Sequence, residues 1–411
     1  MKKQKTSDDA YKNERSFPNK FPDYDEKNDK GQLLTDDGKL NETLTAKINQ
    51  AVESLLQNLE AGFLSSSGKD GSVYTGMSGI ALMYLQLYDV YGKEEYLKKA
   101  KHYIREPSTN LKGRKSSFIA GDGGPLAIAA VIYDKLGKKQ KSKEFIDRLV
   151  SLHPTIRDES MPNELMNGRA GYLYALMYIR RHLGQDQIPD EVPDKTAAMI
   201  LELGQKLATE TRTSSALMYE WHNKHYLGAC HGISGILSLL LQCPLTPIKQ
   251  HLKDLIQPSV DFIQSLQFPS GNFPSSLGNE VDRLVHWCHG APGVIHMLLL
   301  AYKEFKDEKY LNSALKCGDV IWKFGLLRKG YGLCHGVAGN SYSMLALYNI
   351  TKDERHLYRA CKFAEWCLDY GKHDCSTPDR PYSLFEGSAG TIYFLTDLLI
   401  PTRARFPCMY V

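Results

Sequence analysis

The chain has 411 residues, 42% of them hydrophobic, enough to bury one large core or two ordinary ones. Its 51 basic and 47 acidic residues are interspersed and sum to a formal charge of +4, which leaves no electrostatic footprint for nucleic acid. Nine cysteines without a leading apolar signal segment argue against a secreted disulfide scaffold and for a reducing, cytosolic setting, and no apolar run reaches the roughly 18 residues that a membrane span needs.

In chain order, residues 1 to about 42 are polar and turn-rich and read as an N-terminal tail over the surface, with only the opening "MKKQK" locally basic. Residues 43–411 read as one domain of repeats. A Gly-x-x-Gly element recurs seven times, in "TGMSGIAL", "AGDGGPLAIA", "NGRAGYLYAL", "HGISGILSLL", "HGAPGVIHML", "HGVAGNSYSM" and "EGSAGTIYFL". The stretch after each glycine pair, such as "GVIHMLLLAY" from Gly293, is apolar on nearly every side and predicts a buried helix. A turn and an amphipathic stretch follow each one. In "DEKYLNSALKCGDVIWKFG", Tyr310, Leu311, Ala314, Leu315, Gly318 and Ile321 fall at helical spacing with charges on the other face.

Seven buried and seven amphipathic helices in alternation predict an all-α fold, an α/α toroid in which an outer ring of helices wraps an inner one. The glycines let the backbone turn and pack closely where it enters each inner helix. All inner helices then begin at one end, so the side chains just before each glycine pair converge on one mouth. Two loops break the period, a solvent loop "GQDQIPDEVPDK" and the long "FPSGNFPSSLGNEVDRLVHWCHG"; long loops in compact folds are often functional. The final "CMYV" loosely fits a prenylation box, but its aromatic Tyr410 argues against one.

Three of the repeats carry Cys-His-Gly, in "GACHGISG", "HWCHGAPG" and "GLCHGVAG". Thiolate and imidazole at equivalent places on adjacent repeats suit zinc, which takes such ligands in a tetrahedron and keeps one position open when it is catalytic. The bland alternative is that each Cys fills a small buried slot and each His bonds to backbone. Spacing does not choose which three of the six residues would bind.

The motifs "HWCHGAPG", "GYGLCHGVAGN", "GDGGPLA", "NGRAGY" and "SLFEGSAGTIYFLTDLL" resemble those of the lanthionine synthetase C-like proteins, eukaryotic relatives of the bacterial lantibiotic cyclases, from about residue 15 to the C-terminus. The resemblance implies a seven-repeat α/α toroid with one zinc at its mouth, held by Cys288, Cys334 and His335. His289 then stays beside the metal without binding it, and Cys230 is no ligand. His231 matches the acid/base histidine proposed for the cyclases, and Glu164 stands where an acidic residue orients that histidine, a capping or surface role being the alternative. In the eukaryotic branch the thiol is glutathione, so the resemblance implies a zinc-dependent glutathione transferase that adds the glutathione thiolate to dehydroalanine or dehydrobutyrine residues in proteins.

By the same resemblance, Lys329 and Arg15 match glutathione-contacting cations, and Ser376, Thr377, Pro378 and Asp379 match a loop that touches glutathione. The chain departs from the family at Ser376, where close relatives carry Arg; Arg380 is another source of that charge. Arg283 precedes Cys288 without aligning cleanly with the arginine of the bacterial enzymes. The alternative the family offers is a non-catalytic glutathione-binding sensor or adaptor that engages SH3 domains or kinases, although the chain has no strong P-x-x-P ligand. The expected location is the cytoplasm, with peripheral membrane contact left open.

Overall fold

The computed structural model describes residues 8–66, 70–111, 113 and 115–411, so the basic opening "MKKQK" lies outside the described residues. Among these residues there are seventeen α-helices, and extended pairing is confined to isolated bridges such as Ser16 with Leu327. No helix among them is long and apolar enough to cross a membrane. Two compact units form, one from the described residues of Met1–Gly68 and Gln267–Phe406, the other from those of Lys69–Leu266 and Pro407–Val411.

The second unit holds three helix pairs in which a buried helix packs on the amphipathic helix that follows it: Met77–Tyr91 on Glu94–Thr109, Gly123–Lys135 on Lys139–Ser151, and Arg169–Leu183 on Glu191–Glu210. Its fourth buried helix, Ile233–Leu240, has a broken partner made of Thr246–Gln250, a π turn over Leu252–Ile256 and Gln257–Ser265. Pro247 and Pro258 each stand in the first turn of a piece, where a missing N–H costs nothing and a continuous helix would have needed it.

In the first unit, Ala291–Phe305 packs on Glu308–Phe324 and Val337–Thr351 on Glu354–Leu368. The amphipathic stripe expected in Glu308–Phe324 is present. Tyr310, Ala314, Gly318 and Ile321 are buried, Leu311 and Leu315 half-buried, and the Asp307 carboxylate caps the helix by accepting from the Lys309 N–H. The last buried helix, Ser388–Leu398, departs from the expected order. No amphipathic helix follows it; its partner is Glu42–Ser66, from ahead of the first repeat. A buried helix needs a cover, and the chain supplies this one from its other end.

A shared loop geometry explains the glycine pairs. In Val337–Thr351 the first N–H groups, which have no partner inside the helix, donate to carbonyls seven residues back: Val337 to Gly330 at 3.2 Å, Ala338 to Tyr331 at 3.1 Å and Gly339 to Gly332 at 3.2 Å. The loop must therefore fold tightly over the helix start. A Cβ at Gly339 would collide with the Leu333 carbonyl oxygen. Gly290, at the head of Ala291–Phe305, has φ of +108°, which side-chain-bearing residues rarely adopt.

The N-terminal segment is tied into the first unit. Lys12, on the helix Asp8–Arg15, is 1% exposed and donates to Asp282 at 2.5 Å; Asp282 also accepts from Ser270 at 2.6 Å and Asn272 at 2.8 Å. Beyond that helix, Phe17 N–H donates to Leu326 O at 2.7 Å and Arg328 N–H donates to Arg15 O at 2.9 Å.

Candidate metal centre and thiol site

The Cys-His pairs of the first unit sit just before helix N-caps, Cys288 and His289 before Gly290, Cys334 and His335 before Gly336. Backbone bonds join the loops in series: Cys288 N–H donates to Cys334 O at 3.3 Å, and Cys334 N–H donates to Phe385 O at 2.8 Å. This stitching brings two remote cysteines together. The ligand atoms of Cys288, Cys334 and His335 all lie within 4.8 Å of one another.

The donor set fits zinc. Two thiols and one imidazole make a three-ligand shell of soft and borderline donors with a fourth position for a substrate. In the protein alone the Cys288 thiol is held well above its ordinary pKa, first by its hydrogen bond with the Cys334 thiol and then by burial, with Lys329 opposing. Two thiols crowded against each other at helix N-termini invite a cation, which would displace their protons. His289, beside Cys288, is outside this cluster.

Two neighbours of the centre were not singled out in the sequence. His286 is 5% exposed, its ring 6.0 Å from that of His335, and burial, followed by the His335 charge, brings its pKa down to about 3, so it is neutral at pH 7. Glu386 is half-buried, with its pKa raised chiefly by burial, and it feels the charges of His335, Cys334, Asp379 and Lys329. A signal for Glu386 was available. It precedes Gly387 as His335 precedes Gly336, so it is the last repeat's register equivalent of a metal ligand.

The cations and the loop expected at the site are gathered by main-chain pairing. Ser376 N–H donates to Arg328 O at 2.8 Å, and Arg328 N–H donates to Arg15 O. Arg15, the segment around Lys329 and the Ser376–Asp379 loop are thus drawn side by side. Lys329, Ser376, Thr377, Asp379 and Arg380 are exposed and Pro378 is half-buried. The Arg15 guanidinium has its pKa lowered, by burial and then by the like charge of Arg283, which identifies Arg283 as a second cation near it.

The third Cys-His pair belongs to the second unit and has a different setting. Cys230 is buried with its sulfur 3.7 Å from Met166 Sδ. His231 Nδ1 lies 3.1 Å from Glu164 Oε2. The Glu164 carboxylate, 2% exposed, also accepts from Met166 N–H at 2.7 Å and Asn167 N–H at 2.6 Å. Burial excludes the surface role for Glu164: its carboxylate accepts from the loop before Arg169–Leu183 and stands against the His231 ring. With Nδ1–H donating to the carboxylate, Nε2 is the nitrogen left to exchange a proton. The His231 ring lies near-parallel to Trp221, centroids 6.4 Å apart, and keeps 24% of its side chain exposed.

An all-α repeat fold with a thiol and imidazole centre at its helix N-termini defines a narrow class. The family model described as lanthionine synthetase C-like protein matches residues 67–411. A Danio rerio protein named glutathione S-transferase LANCL1 is 47% identical over 402 residues, 97% of this chain and 99% of its own length. The chain belongs to the lanthionine synthetase C-like family. The solved structure of nisin cyclase superposes with a TM-score of 0.63 at 15% identity, over 87% of this chain and 94% of that one, and shows the fold class to be the α/α toroid expected from the sequence.

Proposed function

We propose that this chain is a zinc-dependent glutathione S-transferase that adds the glutathione thiol to dehydroalanine and dehydrobutyrine residues of proteins. The observation that carries the reading is the Cys288, Cys334 and His335 cluster, in a chain 47% identical to a protein named glutathione S-transferase. Zinc held by these three residues would supply a deprotonated thiol at neutral pH, where a free thiol of pKa about 8.5 is only a few per cent ionised.

The remaining work falls to the chain's own side chains. Glutathione carries two carboxylates, and Lys329 and Arg15 supply positive charge for them. In the loop of Ser376, Thr377, Pro378 and Asp379 a hydroxyl at Ser376 replaces the arginine expected from the resemblance, so Lys329, Arg15 and Arg380 bear more of the anion binding here. Addition forms the sulfur–carbon bond at Cβ and moves the double-bond electrons to Cα and the adjoining carbonyl. His231 Nε2 donates the proton that quenches them, with Glu164 stabilising the imidazolium through Nδ1. No group leaves, so one thiol and one alkene give one thioether.

The nine cysteines, none of them in a disulfide, support a reducing compartment for this chemistry. The test is mass spectrometry of a dehydrobutyrine peptide incubated with glutathione and the zinc-loaded protein. An adduct that forms above the uncatalysed rate, disappears with a chelator and returns with zinc supports the reading; zinc-loaded protein that adds nothing to the background rate overturns it.

A further inference from the structure

His231 has beside it a short hairpin, residues 219–226, that the mechanism above does not use. Trp221 N–H donates to Lys224 O at 3.0 Å and Lys224 N–H donates to Trp221 O at 3.1 Å. The two residues between them, His222 and Asn223, have φ of +50° and +58°, the left-handed pair that lets a two-residue turn match the twist of its strands. Histidine and asparagine are among the side-chain-bearing residues that enter this region most readily. Both feet of the hairpin are anchored. Tyr219 is 3% exposed, its hydroxyl donating to Ile200 O at 3.1 Å, and the Tyr226 carbonyl accepts from Ile233 N–H, at the head of the helix Ile233–Leu240, at 3.1 Å.

The hairpin brings two aromatic rings to the imidazole. Trp221 lies near-parallel to the His231 ring with centroids 6.4 Å apart, and Tyr226 is inclined to it at 48° with centroids 6.2 Å apart. The indole is held from the turn as well, by the His222 ring at 4.2 Å. Both Trp221 and Tyr226 are half-buried, so each keeps surface for a ligand. A residue whose Cα takes a proton from His231 Nε2 comes within about 3 Å of that nitrogen, and so within reach of these rings. The amide, alkene and carbonyl of a dehydroamino acid form one flat, conjugated, uncharged unit, which suits aromatic surfaces. A saturated residue is tetrahedral at Cα and turns its side chain out of that plane.

We propose that Trp221, supported by Tyr226, is a specificity-determining residue for the polypeptide electrophile, packing against the dehydroamino acid and favouring it over its saturated counterpart. The proposal rests on the transferase reading for the reaction and names what selects the electrophile. One aromatic contact of this kind is worth about fivefold in affinity.

The test compares a fluorescent dehydrobutyrine peptide with its α-aminobutyrate twin by anisotropy, without glutathione so that no addition occurs. The wild type should bind the dehydrobutyrine peptide about fivefold more tightly. Trp221→Leu should bring the twins within about twofold of each other, Trp221→Phe should keep most of the difference, and His231→Ala should leave it in place, because the rings and not the acid supply it. Tyr226→Leu should lower the preference in part, and it reads the same wall if Trp221→Leu fails to fold. With glutathione present, Trp221→Leu should raise the peptide KM about fivefold and leave the glutathione KM unchanged. Equal binding of the twins by the wild type overturns the proposal. So does a Trp221→Leu protein that keeps the preference, or one that loses kcat with both KM values unchanged, since the indole then only positions His231. A preference without any adduct upholds the aromatic wall and sinks the transferase; an adduct from a wild type that binds the twins alike does the reverse.

Discussion

Glu164 carries three hydrogen bonds on one buried carboxylate, and replacing it by glutamine exposes their joint weight. The two backbone donors, Met166 N–H at 2.7 Å and Asn167 N–H at 2.6 Å, approach different oxygens, and His231 Nδ1 approaches the same oxygen as Met166. In Glu164→Gln only one oxygen remains, so at least one backbone donor faces an amide N–H2 in a setting 2% exposed to solvent. A charge-assisted bond contributes about 1.5–3 kcal/mol and an orphaned buried donor costs about 1–3 kcal/mol, so the variant should lose roughly 2–4 kcal/mol of stability. The imidazole also loses the anion that fixes its tautomer and stabilises its cation. Turnover should therefore fall about 10²-fold while zinc content stays at wild-type level, because the metal ligands lie in the other unit. Urea unfolding measures the first quantity, and steady-state kinetics beside metal analysis measure the second. A Glu164→Gln protein within about 0.5 kcal/mol of wild type, with unchanged kcat, would refute the assignment of Glu164 as both cap and orienting group.

Three other perturbations read separate parts of the structure. Lys12→Met leaves the Asp282 carboxylate buried without its cation; the expected cost is about 3 kcal/mol, with limited proteolysis then cutting near residues 8–17, and resistance equal to wild type would contradict the buried pair. Burial holds His296 at a pKa of about 3, so as pH falls through 6.5 the unfolded chain takes a proton that the folded chain refuses. Stability should drop below pH 6.5, by about 2 kcal/mol at pH 5 for this group, and keep dropping until about pH 3; His296→Leu should flatten urea-unfolding profiles by that amount between pH 7 and 5, and an unchanged slope would contradict it. Gly339→Ala drives a methyl into the Leu333 carbonyl oxygen, so the loop bearing Cys334 must shift; zinc affinity by competition with a chromogenic chelator should weaken at least tenfold, and wild-type affinity would show that the loop tolerates the clash.

The repeat pattern was legible because it is local and periodic, whereas the choice of Cys288, Cys334 and His335 among six Cys and His residues came from the family resemblance and not from spacing. A glycine pair recurs wherever a loop folds over a helix start, and the thiols and imidazoles stand at one register position before it. What sequence missed depends on remote partners. Lys12 sits in a polar segment and reads as solvated, since the Asp282 that buries it is 270 residues away. Glu42–Ser66 lies ahead of the first glycine pair, and its packing on Ser388–Leu398 makes it the cover of the last repeat. Glu386 occupies the ligand register but carries a carboxylate, so a search for thiol and imidazole passes over it. Gly62 is an unremarkable glycine in sequence, yet a side chain there would collide with the ring of Tyr382, 320 residues away.

The measurement that bears most directly on the central claim is adduct formation from glutathione and a dehydrobutyrine peptide, followed by mass spectrometry for the wild type, Cys334→Ala and His231→Ala, each with its metal content determined. The account predicts a catalysed adduct in the wild type, loss of metal and adduct together in Cys334→Ala, and retained metal with adduct formation lowered at least 10²-fold in His231→Ala. Zinc and glutathione bound by the wild type with no adduct above background, or full metal occupancy in Cys334→Ala, would contradict it.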